Sequence, residues 1–419
     1  MKIIDGGRGR QALERVHDAV MAALRTWLAG GDPEPLFVVA PGTDRRAVAD
    51  EIAGFQAEGF PVPAGTGLLM RTSGSTTGQG KIVALSWQSL IASAHATHAA
   101  FGGPGRWVCQ LPLDHIAGFQ TVARSCLAEL EALAAGATPQ RAAALRPAYI
   151  NLAEPAAIRG ALRPAGSAPD GAEPVPTYLS VVPTQLRRIL ADPELTGALR
   201  GATVLVGGAA ADTVVLDAAR AAGLTVHTSY GMTETCGGCV YDGHPIGDTE
   251  ILIDDGRIAL RGTVVATCYL GTDEGFDPPA RLRAPGSPAT HLTRDAGRIT
   301  GGALEVLGRI DDAITTGGLT VMPNLIEESL AKTGHRAVVV GVPHPEWGEA
   351  VVAVVDDAVN AAQSCDITVM RSWVKLELGE GWAPTYVVGV SDIGGLPMTD
   401  SGKVNRRALA EAVEGYLGL

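Results

Sequence analysis

Three central segments each set a short apolar run directly before a turn or a helix start: TYLSVVPTQLRRIL (177–190), ATVLVGGAA (202–210) and LTVHTSYGMTET (224–235). Strands that feed helices or loops in this alternation build α/β proteins. With 419 residues the chain is long for one core, and two or three domains are expected. Upstream, RQALERVHDAVMAALRTWLA (10–29) carries apolar residues at helical spacing and stops at Gly-Gly-Asp-Pro. GTGLLMRTSGS reads as a buried strand entering a Gly/Ser/Thr loop, residues 161–176 as a Pro/Gly/Ala surface loop, and ILIDDGRIAL as a hairpin about Asp-Asp-Gly.

After Arg309 the character changes. AVVVGVPHPEWGEAVVAVV (337–355) reads as strand, loop, strand, and the remainder suits a small α+β domain. The expected boundary lies near 308–312, giving domains 1–310 and 311–419. The expected fold class is thus α/β, a large N-terminal multi-sheet domain followed by a small C-terminal one.

Charge narrows the partners. A net charge of −12 repels nucleic acid and anionic membranes at long range, so an anionic substrate must be held by local donors. The N-terminus lacks a signal-peptide core, and no run approaches the roughly 18 apolar residues of a membrane span. A cytoplasmic protein with no membrane insertion is expected. Six cysteines are too dispersed for a disulfide framework; the CGGC at Cys236 and Cys239 reads as buried, inert thiols because no second ligand pair accompanies it.

Lysine is scarce, at positions 2, 81, 332, 375 and 403 only. Lys81 follows RTSGSTTGQG (71–80), where glycine amides, hydroxyls and an ammonium make a cradle for phosphate oxygens. The loop is not a nucleoside-triphosphatase P-loop, which would need Gly at 75 and a hydroxyl at 82 in place of Ser75 and Ile82. SYGMTET (229–235) sets Thr233 beside Glu234, a hydroxyl for a phosphate and a carboxylate for a bridging magnesium ion, or simply a helix cap. Asp295 and Arg309 are placed in turns, suited to a ribose diol, and Asp311 sits where a hinge or an ordinary turn would fall. Lys403, in LPMTDSGKVNRRAL, reads from composition alone as a solvated terminal residue.

Taken in order, TSGSTTGQGK, SYGMTET, TRD, GRIDDAITTGGLTVMPNLIE and LPMTDSGKVNRRAL resemble the adenylate-forming acyl-CoA synthetase superfamily over roughly residues 65–415. LPLDHIAGFQ (111–120) and TETCGGCVYDG further resemble its o-succinylbenzoate-CoA ligases from actinobacteria, which act in menaquinone biosynthesis. The resemblance implies a two-step reaction with ATP, Mg²⁺ and CoA. A carboxylic acid attacks the α-phosphorus to form an acyl-AMP, then the CoA thiol displaces AMP.

By the same resemblance, Lys403 bridges carboxylate and α-phosphate as an electrostatic clamp. Thr72, Ser73, Gly74, Ser75, Thr76, Thr77 and Lys81 wrap the outer phosphates, Thr233 meets the α-phosphate, and Glu234 binds Mg²⁺. Asp295 and Arg309 hold the ribose; Ser229, Tyr230, Gly231 and Met232 lie by the nucleotide, with Tyr230 stacked near the base. Gly207, Gly208 and Ala209 border adenine and acyl group, Ser229 the acyl group too, and His115 lines the acyl pocket or is a satisfied structural histidine. The C-terminal domain rotates about Asp311, bringing the Gly317-Gly318 loop to the CoA channel. A homodimer is an open expectation.

Four departures from the family pattern stand out. The phosphate loop has an extra Thr, Gly80 replaces a proline, Ile82 follows the lysine in place of a glycine, and Asp114 replaces an aromatic before the histidine, facing either acid or solvent. Arg124, Arg187 and Arg188 are candidates for the second carboxylate of a succinylbenzoate, but on a helix they read as solvated. Another aryl- or acyl-CoA ligase, a carrier-loading enzyme and a non-catalytic nucleotide binder remain as alternatives.

Overall fold

The computed structural model describes residues 1–72, 80–152, 175–276, 288–356, 367–398 and 404–419. The chain packs as two compact units, residues 1–252 with 259–292 and residues 253–258 with 293–419. This division by packing falls earlier in the chain than 310/311.

In the first unit, the strands Lys2–Asp5, Leu36–Val39, Thr66–Arg71, Ile82–Ser86 and Cys268–Tyr269 form one sheet in that spatial order. Its first three strands are parallel, and Leu36–Val39 is an unbroken apolar LFVV buried at every residue, as a strand covered on both faces must be. The expected N-terminal helix is Arg10–Leu28, and it packs on helix Ile116–Ala134 around Val16, Val20, Leu24, Phe119 and Val122, all essentially without solvent contact. Each such side chain contributes about 1.5–3 kcal/mol on burial.

The second sheet carries the three segments that open the sequence. Its spatial order is His244–Pro245, Gly237–Tyr241, Thr225–Met232, Ala202–Val206, Thr177–Val181, Arg106–Cys109 and Ala148–Tyr149. From Thr225–Met232 to Ala148–Tyr149 the neighbours are parallel. Helices Pro183–Ala191 and Thr213–Ala221 follow their strands and close an aliphatic core of Val, Leu and Ile. The hairpin 251–260 is present as adjacent strands Glu250–Asp254 and Arg257–Arg261, with Asp255 left-handed at φ 53°.

In the second unit, strands Ala337–His344 and Gly348–Val355 pair antiparallel residue for residue. Their alternation divides two cores. Val339, Val351, Ala353 and Val355 face helices Pro323–Lys332 and Ile367–Leu378, while Val340, Val342, Val352 and Val354 face helix Arg406–Leu417. No helix among the described residues is long and apolar enough to cross a membrane.

Candidate active site

In parallel α/β sheets ligands bind beyond the carboxyl ends of the strands. Most of the first unit's candidate residues lie on that edge of the second sheet. Cys109 leads to His115, Val206 to Gly207, Gly208 and Ala209, and the strand Thr225–Met232 overruns its neighbour, since Val206 pairs with Thr228. Ser229, Tyr230, Gly231 and Met232 are therefore the overhang. A side chain at Gly238 would put its Cβ 2.0 Å from Ser229 Oγ, so the glycine of CGGC keeps Ser229 in place.

The overhang ends in a tight turn, Thr233–Thr235. Buried Thr235 accepts the Met232 N–H at 3.0 Å and donates to Gly237 O at 2.8 Å. Thr233 and Glu234 are thereby held half-buried on the turn. The Glu234 backbone carbonyl accepts from Ala266 N at 2.8 Å, and its Oε1 accepts from the Tyr269 hydroxyl at 2.8 Å. Tyr269 also carries Lys81, whose Nζ sits 4.7 Å from the ring centroid, and Lys81 is ion-paired with Glu274. A single carboxylate with one oxygen taken by a phenol suits Mg²⁺, which keeps several waters and takes its remaining ligands from phosphates.

Ser73, Gly74, Ser75, Thr76, Thr77 and Lys403 lie outside the described residues, as does most of 161–176. The borders of the phosphate loop are described. Thr72 N donates to Lys81 O at 2.9 Å, closing the hairpin in which Arg71 faces Ile82. A Cβ at Gly80 would lie 1.8 Å from Thr72 O, so a proline or any other side chain is excluded while this closure stands. On either side of 399–403, Met398 and Val404 form a β-bridge and Asn405 N donates to Pro397 O at 2.8 Å. Arg406 is clamped by Glu327 at 2.7 Å, Val339 O at 2.6 Å and Asn324 at 3.1 Å.

Asp295 and Arg309 are not in turns. They are cross-strand partners in the hairpin of Thr290–Thr300 with Ala303–Arg309, because the β-branched and apolar residues between them complete two strands. Arg309 donates to Asp311 at 2.9 Å and Arg294 donates to the same oxygen at 3.2 Å. Burial opposes ionisation of Asp311, but the two guanidiniums outweigh it and hold the carboxyl below its ordinary range. Gly317 and Gly318, at φ 55° and 83°, form the two-residue hairpin turn between Ile314–Thr316 and Leu319–Val321.

Arg124 is not solvated. It is 2% exposed, its guanidinium carbon 4.9 Å from the Trp107 ring centroid, and burial lowers its pKa. Its Nε makes no hydrogen bond, nor does the buried Oε1 of Gln120 one turn earlier on the same helix face. Gln120 Nε2 donates to Cys236 O at 2.8 Å, tying that face to the Thr233–Thr235 turn. Burial, with repulsion from Arg124 and His95, pushes neighbouring His98 down to about 4. A sequence signal existed: Arg124 is the only charged residue in IAGFQTVARSCLA (116–128), and a helical stretch with no charged face is buried. Of the other two arginines, Arg188 is exposed and Arg187 forms a 3.0 Å ion pair with Asp212. Cys236 and Cys239 are buried, and burial raises both thiols, Cys239 to about 12, as expected of inert cysteines. Among the described residues no cluster of three metal-ligating side chains occurs.

Fold and site define a class, a two-unit α/β enzyme of the adenylate-forming kind. Residues 172–269 match the family model of the AMP-binding enzymes, and residues 332–403 match the model of the AMP-binding enzyme C-terminal domain. A probable 2-succinylbenzoate–CoA ligase of Mycobacterium tuberculosis is 34% identical over 410 residues, spanning 94% of this chain and 95% of that protein. The 2-succinylbenzoate–CoA ligase of Enterococcus faecalis is 30% identical over 83% of this chain and 70% of its own length. The chain belongs to the AMP-binding enzyme family. Its fold matches o-succinylbenzoate CoA synthetase (MenE) from Bacillus subtilis in complex with the acyl-adenylate OSB-AMP, with TM-score 0.66, 21% identity, and 97% and 87% of the two chains covered. ATP-bound MatB from Rhodopseudomonas palustris matches with TM-score 0.68 and 20% identity over 99% and 89%.

Proposed function

We propose that this chain is a 2-succinylbenzoate–CoA ligase, acting in menaquinone biosynthesis by ATP-dependent adenylation followed by thioester formation with CoA. The observation that carries the reading is the 34% identity to the mycobacterial ligase over nearly the whole of both chains.

The physical problem is the approach of a carboxylate to a triphosphate. In this reading Lys403 is the mobile cation between them, while Thr72–Thr77 and Lys81 hold the outer phosphates and Thr233 the α-phosphate. Glu234, oriented by Tyr269, would hold Mg²⁺, and the ion would supply charge neutralisation for the phosphates. Asp295 and Arg309 hold the ribose, Tyr230 stacks on the base, and Gly207–Ala209 and Ser229 leave room between nucleotide and acid. His115 borders the acid. The second carboxylate of a succinylbenzoate needs a desolvated cation, and the buried Arg124, with Gln120 beside it, offers one. Asp311 serves as the hinge between domains 1–310 and 311–419, with Gly317-Gly318 on the CoA side. The protein is read as cytoplasmic and is compatible with a homodimer.

Acid-dependent pyrophosphate release with MgATP and CoA tests the proposal, comparing o-succinylbenzoate with benzoate, a medium-chain fatty acid and several amino acids. A strong preference for o-succinylbenzoate is expected. Turnover only with another acid discards the substrate but keeps the chemistry, and tight ATP binding without turnover discards both.

A further inference from the structure

Asp114 immediately precedes His115, at the position where the resemblance implies an aromatic residue. Its carboxylate is turned toward the N-terminal turn. Its side chain is 14% exposed, and Oδ1 accepts the Gly7 N–H at 2.7 Å. The exchange is reciprocal, because Gly7 O accepts from Leu113 N at 2.8 Å. Gly6 fits only as glycine here, since a Cβ on it would lie 2.7 Å from Asp114 N.

The N-terminal turn is itself anchored. Strand Lys2–Asp5 pairs with Leu36–Val39, Gly6 N donates to Val39 O at 2.8 Å, and Asp5 is paired with Arg45 at 2.5 Å. On the other side of the loop, Phe119 N donates to His115 O at 2.9 Å, and a Cβ at Gly118 would fall 2.1 Å from Pro112 O. The segment 112–115 is thus held between the sheet's edge strand and the first turn of a helix. Asp114 Oδ2 is 4.0 Å from His115 Nε2, beyond hydrogen-bond distance.

We infer that Asp114 and the Gly6-Gly7 turn form a brace that positions His115 on the acid side of the site, so that the first seven residues of this chain take part in acid recognition. Asp114 is a positioning residue, acting through the loop. An aromatic there has no acceptor for the Gly7 N–H; aspartate supplies one and couples the edge strand to the histidine. The inference rests on the proposed placement of His115 at the acyl group.

The test compares Asp114→Asn, Asp114→Ala and Asp114→Leu in the full-length protein. Asn keeps an acceptor for Gly7, Ala removes it, and Leu removes it while retaining bulk. Steady-state KM is measured for acid and for ATP, with amide hydrogen exchange of residues 1–9 and 111–119 on the same proteins. Ala and Leu are expected to raise the KM of the acid on the order of tenfold with the KM of ATP unchanged and exchange accelerated in both segments, while Asn stays within about threefold of wild type. An unchanged acid KM in Ala or Leu, an equal rise for acid and ATP, or an Asn variant as impaired as Ala would overturn the brace. If the wild-type protein uses a different acid, the substrate reading fails and the brace is read on that acid. If no acid is turned over, the function reading fails, and the exchange comparison of Asn with Leu decides the brace.

Discussion

The Tyr269 hydroxyl donates to Glu234 Oε1 at 2.8 Å while the ring of the same tyrosine lies under the Lys81 ammonium. One side chain thus orients the carboxylate proposed for Mg²⁺ and the lysine proposed for phosphate, by separable forces. Tyr269→Phe removes only the hydrogen bond. It is expected to raise the Mg²⁺ concentration for half-maximal adenylation about fivefold, the equivalent of roughly 1 kcal/mol, with acid KM unchanged. Tyr269→Leu, which also loses the cation–π contact, should weaken ATP as well. Mn²⁺ titration followed by electron spin resonance, with a non-hydrolysable ATP analogue, reads the metal effect without turnover; equal Mn²⁺ affinity in wild type and Phe would refute it.

Gly80→Ala and Gly80→Pro place a Cβ against the Thr72 carbonyl. Both are expected to cost about 1–3 kcal/mol in urea unfolding and to raise the KM of ATP, because the loop closure must open to admit the extra carbon. An unchanged unfolding midpoint would show that the hairpin border yields without cost.

Arg124→Met separates specificity from stability. Replacing a buried, incompletely bonded guanidinium with an apolar side chain of similar length is expected to leave the thermal midpoint unchanged or higher. The preference for o-succinylbenzoate over benzoate should fall by roughly thirtyfold or more, since the second carboxylate loses its desolvated partner. Retained preference in a folded Met variant would exclude Arg124 from acid recognition.

His98 makes stability pH-dependent. Its folded pKa of about 4 lies below the ordinary 6.5, so between these values the unfolded state binds more protons than the folded one. Stability is therefore complete above pH 6.5 and declines as pH falls toward 4, by on the order of 3 kcal/mol in all. His98→Asn, measured by urea unfolding at pH 7 and pH 5, should show a smaller loss between the two than wild type does; an identical loss would assign the acid sensitivity elsewhere.

Strands and turns with strong local chemistry were legible. The apolar run at 202–206 is a largely buried strand, and ILIDDGRIAL is two adjacent strands joined through a left-handed Asp255. Asp295 and Arg309 were misread as turn residues because a polar pair at a hairpin's open end carries no local sign of the register that joins them. Tyr269 had no signal at all. Its partners Lys81 and Glu234 are remote in sequence, and only folding of the Cys268–Tyr269 strand beside Ile82–Ser86 brings the three together.

The sequence by itself determined the alternation of strand and helix, the family motifs and their order, and the acidic surface that leaves anion binding to local donors. Each of these depends on near neighbours or on total charge. Tertiary structure alone decided that Arg124 is buried, that Gly80 must lack a side chain, and that Asp114 answers to Gly7. Desolvation, close approach and long-range hydrogen bonds are properties of what the fold places beside a residue, and the residue type does not carry them.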